Sequence, residues 1–129
     1  MRGFELILGL AGLVAGANCS NPPKAQTVNG TYVGKRLPSW DQDAFLGIPF
    51  AQPPLGDLRF RHPQSIDSSF DGERSATEYG YSCMQYGQNL TLSEDCLTIN
   101  VVRPSEKSDE PLPVLYVHSI AMPFIWTKY

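Results

Sequence analysis

Eleven prolines and eleven glycines divide this chain into segments too short for long helices. Proline lacks an amide donor and fixes φ, while glycine loses the most backbone freedom on ordering, so each tends to end or bend regular structure. Thr27-Val28 and Thr31-Tyr32-Val33 flank Asn29-Gly30, two residues that tolerate positive φ, which predicts a β-hairpin. Ala44-Phe45-Leu46-Gly47-Ile48 is a short apolar run stopped by Pro49. Residues 51–56 contain Pro53-Pro54 and can be neither helix nor inner strand, so they form a rigid connecting loop. Residues 60–88 are polar and turn-rich, with a turn expected at Asp71-Gly72. Leu97-Thr98-Ile99-Asn100-Val101-Val102 reads as a buried strand ending before Pro104. Val114-Leu115-Tyr116-Val117 is a second apolar run, of the kind found in central strands covered on both faces. Ile120 to Tyr129 has neither a strand nor a helix period, and is expected to lie outside the fold.

The first seventeen residues differ from the rest. Arg2 opens a short polar start, Leu6 to Ala17 carry no charge, and Ala15-Gly16-Ala17 supplies the small residues of a cleavage site. About twelve apolar residues reach roughly 18 Å, short of the ~30 Å hydrocarbon core, so the pattern is a secretory signal and not a transmembrane anchor. Cleavage after Ala17 or after Cys19 fits equally in residue type, and the second would leave an even number of cysteines. Cys83 and Cys96 enclose a stretch that a disulfide can close, which agrees with a secreted, extracellular product. In such a product Asn29 and Asn89 are the expected glycosylation acceptors, while Asn18 lies too near the cleavage point. Ten Lys+Arg against thirteen Asp+Glu give a net charge of -3, and the basic residues Arg59, Arg61 and His62 form no patch, which excludes a nucleic-acid partner. A hydrophobic fraction of 42% is enough for a packed core.

Three segments, in order, resemble the type-B carboxylesterase and lipase family. They are Phe45-Leu46-Gly47-Ile48-Pro49-Phe50-Ala51-Gln52-Pro53-Pro54-Leu55-Gly56 with Leu58-Arg59-Phe60, then Glu94-Asp95-Cys96-Leu97-Thr98-Ile99-Asn100-Val101-Val102-Arg103-Pro104, then Leu112-Pro113-Val114-Leu115-Tyr116-Val117-His118. The resemblance covers residues 27–118 and leaves 119–129 as a divergent tail. It implies an α/β fold, here an incomplete α/β-hydrolase: the N-terminal, β-rich edge of the sheet with long loops. It also implies a disulfide between Cys83 and Cys96, and a structural ion pair between Arg59 and Glu94. The family's substrates are esters or lipids, no cofactor or metal is called for, and nothing specifies an oligomeric state.

The same resemblance locates what is missing. The family attacks esters with a serine in Gly-x-Ser-x-Gly, followed in chain order by an acid and a histidine, and holds the oxyanion with a glycine run after the histidine that ends the strand. Here His118 is followed by Ser119-Ile120-Ala121-Met122, and no Gly-x-Ser-x-Gly occurs. Gly80-Tyr81-Ser82 begins like one, but Cys83-Met84 completes it wrongly, so Ser82 reads as a loop serine. His62 sits beside Pro63 in a loop, and Asp41 and Asp43 read as carboxylates of a solvated turn. No catalytic residue is therefore assigned. The chain reads as the N-terminal fragment of a secreted carboxylic-ester hydrolase, inactive as written, from a reading frame interrupted after His118. The alternative is a non-catalytic, cholinesterase-like binding module.

Overall fold

The computed structural model describes residues 21–86, 90–106 and 108–117. The N-terminal segment, Cys19, Asn89, His118 and the tail 119–129 lie outside the described residues, and so do the expectations that fall on them. Six strands are described: β1 (Lys24–Gln26), β2 (Thr31–Val33), β3 (Lys35–Leu37), β4 (Gln42–Pro49), β5 (Glu73–Ser75) and β6 (Thr98–Pro104). Two single-turn 3-10 helices, Pro38–Trp40 and Gly56–Leu58, lie between them, and the described residues contain no α-helix. The strands form two three-stranded sheets, in the orders β1-β2-β5 and β3-β4-β6.

The first sheet grows from the hairpin. β1 and β2 pair antiparallel from Lys24↔Val33 to Gln26↔Thr31, and Thr27 and Gly30 exchange backbone hydrogen bonds across the turn. The two-residue turn is Val28-Asn29, one position earlier than expected, and Gly30, in the pair that closes it, takes positive φ. β5 joins β2 in parallel. Tyr32 is buried with Phe45 and Ala76, and packs edge-on against Phe70 with ring centroids 5.3 Å apart. The Arg74 guanidinium covers the Phe70 ring at 3.9 Å, and a Lys24–Glu73 ion pair closes the outer side of the sheet.

The second sheet is built on β4, whose residues Asp43, Ala44, Phe45 and Leu46 are all buried. Four consecutive buried positions need cover on both faces, because alternate side chains of a strand point in opposite directions. β3 and β6 flank β4, both antiparallel. Along β4 the register runs from Phe45↔Val101 to Ile48↔Ile99, three steps against two, so one extra residue is accommodated as a bulge. Gly47 sits in it at φ 67°, its amide donating to Asn100 Oδ1 at 2.9 Å. A Cβ on Gly47 would lie 2.7 Å from the Glu78 carbonyl oxygen and 3.1 Å from the Gly80 nitrogen, both backbone atoms. Gly56 has a similar φ of 54° with nothing near its missing Cβ. Gly47→Ala should therefore cost more than Gly56→Ala, which meets only the left-handed backbone penalty of roughly 1–2 kcal/mol. Urea midpoints of the two variants check this, and equal shifts would remove the case for close approach at the bulge.

Two sequence expectations need correction. β6 forms as expected, but Val101 and Val102 are 42% and 52% exposed, so it is not a buried strand. Residues 111–117 form no strand, and Val114, Leu115, Tyr116 and Val117 are 60–90% exposed. The cause is the same in both places. Apolar runs are buried only by what packs on them, and the described residues supply no covering layer.

Candidate functional site

The loop after β4, the cysteine-bearing segment before β6 and the start of β6 come together. Phe50 N donates to Leu97 O at 3.1 Å, which carries β4 pairing into the loop. Residues 51–55 then run as the expected connecting loop into the 3-10 turn Gly56–Leu58, with the Gln52 amide donating to Gln64 O and its side chain to Ser65 O, both at 2.9 Å. The loop ends with Arg59, whose Nη2 lies 2.7 Å from Glu94 Oε1. Both side chains are more than one-third exposed, so the pair contributes at most about 1 kcal/mol and serves mainly to fix position. Two residues beyond Glu94, Cys96 is bonded to Cys83 with Cα atoms 5.1 Å apart. Closing a loop of this length restricts the unfolded chain by roughly 3 kcal/mol in the chain-entropy account. The Ser82 backbone forms an isolated bridge to the segment around Leu92, with Ser82 N to Thr91 O and Ser93 N to Ser82 O both at 3.0 Å.

The most deeply buried charge was not legible as such in the sequence. Asp43 is 2% exposed and lies on the central strand, directly opposite Arg36 on β3 and Arg103 on β6. Arg36 Nε is 2.6 Å from Oδ1 and Arg103 Nη2 is 3.5 Å from Oδ2. Arg36 Nε lies off the line of a directed hydrogen bond, so Oδ1 is held by charge alone. Arg103 also stands 5.2 Å from the centre of the Phe45 ring. Asp41, by contrast, is exposed in the turn with φ 48°, as its sequence context suggested. A hairpin of β3 and β4 around residues 38–41 was the signal that could have separated the two, because counting outward from that turn pairs Arg36 with Asp43.

None of this makes a reaction centre. Among the described residues no serine or cysteine side chain is hydrogen-bonded to a histidine, and no cluster of three or more His, Cys, Asp or Glu could hold a metal ion. His62 lines an open groove with Phe60, Arg61, Pro63 and Gln64. A second open cleft of about 370 Å³ is bordered by Arg103, Ser105, Glu106, Glu110 and Leu112, a mixed-charge rim with no nucleophile and base in contact. No described helix is long and apolar enough to cross a membrane. Asn29 is held at the hairpin turn, and Asn89 lies outside the described residues. What the arrangement provides is a sheet edge and a braced loop: a scaffold of the kind that forms part of an α/β-hydrolase.

Comparison with known proteins fits that class. The profile of the Carboxylesterase family matches residues 21–122, and the chain belongs to this family. It is 39% identical to Lipase 5 of Diutina rugosa, over 87% of this chain and 24% of that protein. It is 36% identical to Carboxylesterase 1E of Mus musculus, over 88% of this chain and 24% of that protein. In three dimensions it resembles the crystal structure of EstA from Aspergillus niger, with a TM-score of 0.57 and 42% identity, covering 65% of this chain and 16% of the other. The chain thus spans about a quarter of the length of these curated relatives.

Proposed function

We propose that residues 27–118 are the N-terminal scaffold of a secreted carboxylic-ester hydrolase, and that the chain as written is catalytically silent. Kinship with lipases and carboxylesterases over most of the chain supports the reaction class. The observation that carries silence is in the sequence: the family motif reaches His118 and continues as Ser119-Ile120-Ala121, where an oxyanion loop needs glycine, and residues 1–129 contain no Gly-x-Ser-x-Gly. The segment's own work is structural. The Arg59–Glu94 pair holds the loop after β4, and the disulfide holds the segment around Cys83, against the chain that leads into β6, where further sheet can be added. Export rests on residues 1–17 and on the paired cysteines. The test is a transcript read through the codon for His118 into downstream genomic sequence. An in-frame glycine run and a Gly-x-Ser-x-Gly are the expected result. A downstream frame that continues the family with the serine replaced would sink the enzyme reading in favour of a binding module.

A further inference from the structure

Asn29 stands in an Asn-Gly-Thr acceptor sequence, but its side-chain amide is already engaged. Nδ2 donates to Ile66 O at 2.8 Å and to Ser68 O at 3.1 Å, and the Asn29 carbonyl accepts from Phe70 N at 2.8 Å. These three bonds seat the 65–71 loop on the hairpin. The seat is tight: a Cβ on Gly30 would lie 2.5 Å from the Phe70 ring, and the same ring packs against Tyr32. A primary amide nitrogen has two hydrogens, and both are used here. An N-linked sugar forms a C–N bond to this nitrogen in place of one hydrogen, so one carbonyl loses its donor and the sugar must occupy the space where that carbonyl stands. We propose that glycosylation of Asn29 and native closure of the 65–71 loop exclude one another, so that the folded protein carries Asn29 unmodified and uses it as the catch for this loop. This goes beyond the ester-hydrolase reading and holds whether or not residues 1–17 direct export.

The test expresses the full chain behind a yeast secretion leader, with a C-terminal Asn-x-Thr tag that reports glycosylation. Glycopeptide mapping gives occupancy at Asn29. Brief chymotrypsin treatment then compares cleavage after Phe70 with cleavage after Phe60, which is fully exposed and serves as the reference. The expected result is a glycosylated tag, an unmodified Asn29 and protection at Phe70. Any chains that carry sugar on Asn29, and the variant Asn29→Asp, should lose about tenfold of that protection, since a carboxylate facing two carbonyls has no proton to donate. Thr31→Val, which removes the acceptor hydroxyl but leaves Asn29, should change nothing. Protection at Phe70 in chains glycosylated at Asn29 would overturn the proposal. So would an unmodified chain cut equally fast at Phe70 and Phe60, or an Asn29→Asp variant as protected as the parent.

Discussion

Replacing both Arg36 and Arg103 with methionine should destabilise the chain by about 3–5 kcal/mol, because it leaves the Asp43 carboxylate buried without a cation. Asp43 is 2% exposed, whereas the arginines are 40% and 44% exposed. Burial therefore falls on the anion. The opposite change, Asp43→Asn, leaves two guanidinium groups that can turn into water, and should cost only about 1–2 kcal/mol, the value of lost charge-assisted contacts. A third variant separates charge burial from simple loss of packing. Arg36→Met/Asp43→Leu/Arg103→Met removes the orphan anion and fills the space with apolar atoms, so it should recover most of the stability lost in the double variant. Urea midpoints at fixed salt measure all three. If the double variant stays within about 1 kcal/mol of the parent, or the triple variant fails to recover, Asp43 is not held by these arginines.

That cluster also marks the limit of reading this fold from sequence. The β1–β2 hairpin, though its turn falls one residue before Asn29-Gly30, the loop through Pro53-Pro54 and the strand after Leu97 were legible because each depends on local chemistry: a glycine beside the turn that takes positive φ, missing amide donors and β-branched residues. Cys83 and Cys96 were legible from their spacing and from the family motif, and the structure joins them. Asp43 was not, because its burial comes from residues seven positions upstream and sixty downstream, and a lone Asp beside Asp41 reads locally as turn. The runs at β6 and at 114–117 read locally as core strands for a related reason. An apolar run states what a segment needs to pack against, and the run itself does not supply the covering layer. Val101 on β6 and Val114 beyond it accordingly stand exposed to solvent. The Gly47 bulge was hidden inside a run that looked like one continuous strand, since register is fixed by the partner strand and not by the run.

Residues 1–129, purified as written, should hydrolyse no ester above background, including activated short-chain esters that need little binding energy. Acyl transfer needs a nucleophile, a base to activate it and donors for the oxyanion, and each is a large factor. Loss of one oxyanion donor alone costs about 10²- to 10³-fold in kcat, and a chain with neither the hole nor the triad has no remaining route beyond what bulk water offers. Ser119-Ile120-Ala121 cannot replace the glycines. Each carries a side chain where the family motif has glycine, and a β-branched residue such as Ile120 resists positive φ. Among the described residues no histidine is bonded to the Ser82 side chain. A chain extended past His118 with a glycine run and an in-frame Gly-x-Ser-x-Gly should hydrolyse the same esters and be blocked by a serine-directed phosphonylating reagent. The short and extended products are assayed side by side. Turnover by the short form that disappears when any one of its own serines is changed to alanine would place a nucleophile within these residues, and would overturn the proposal that they act only as scaffold.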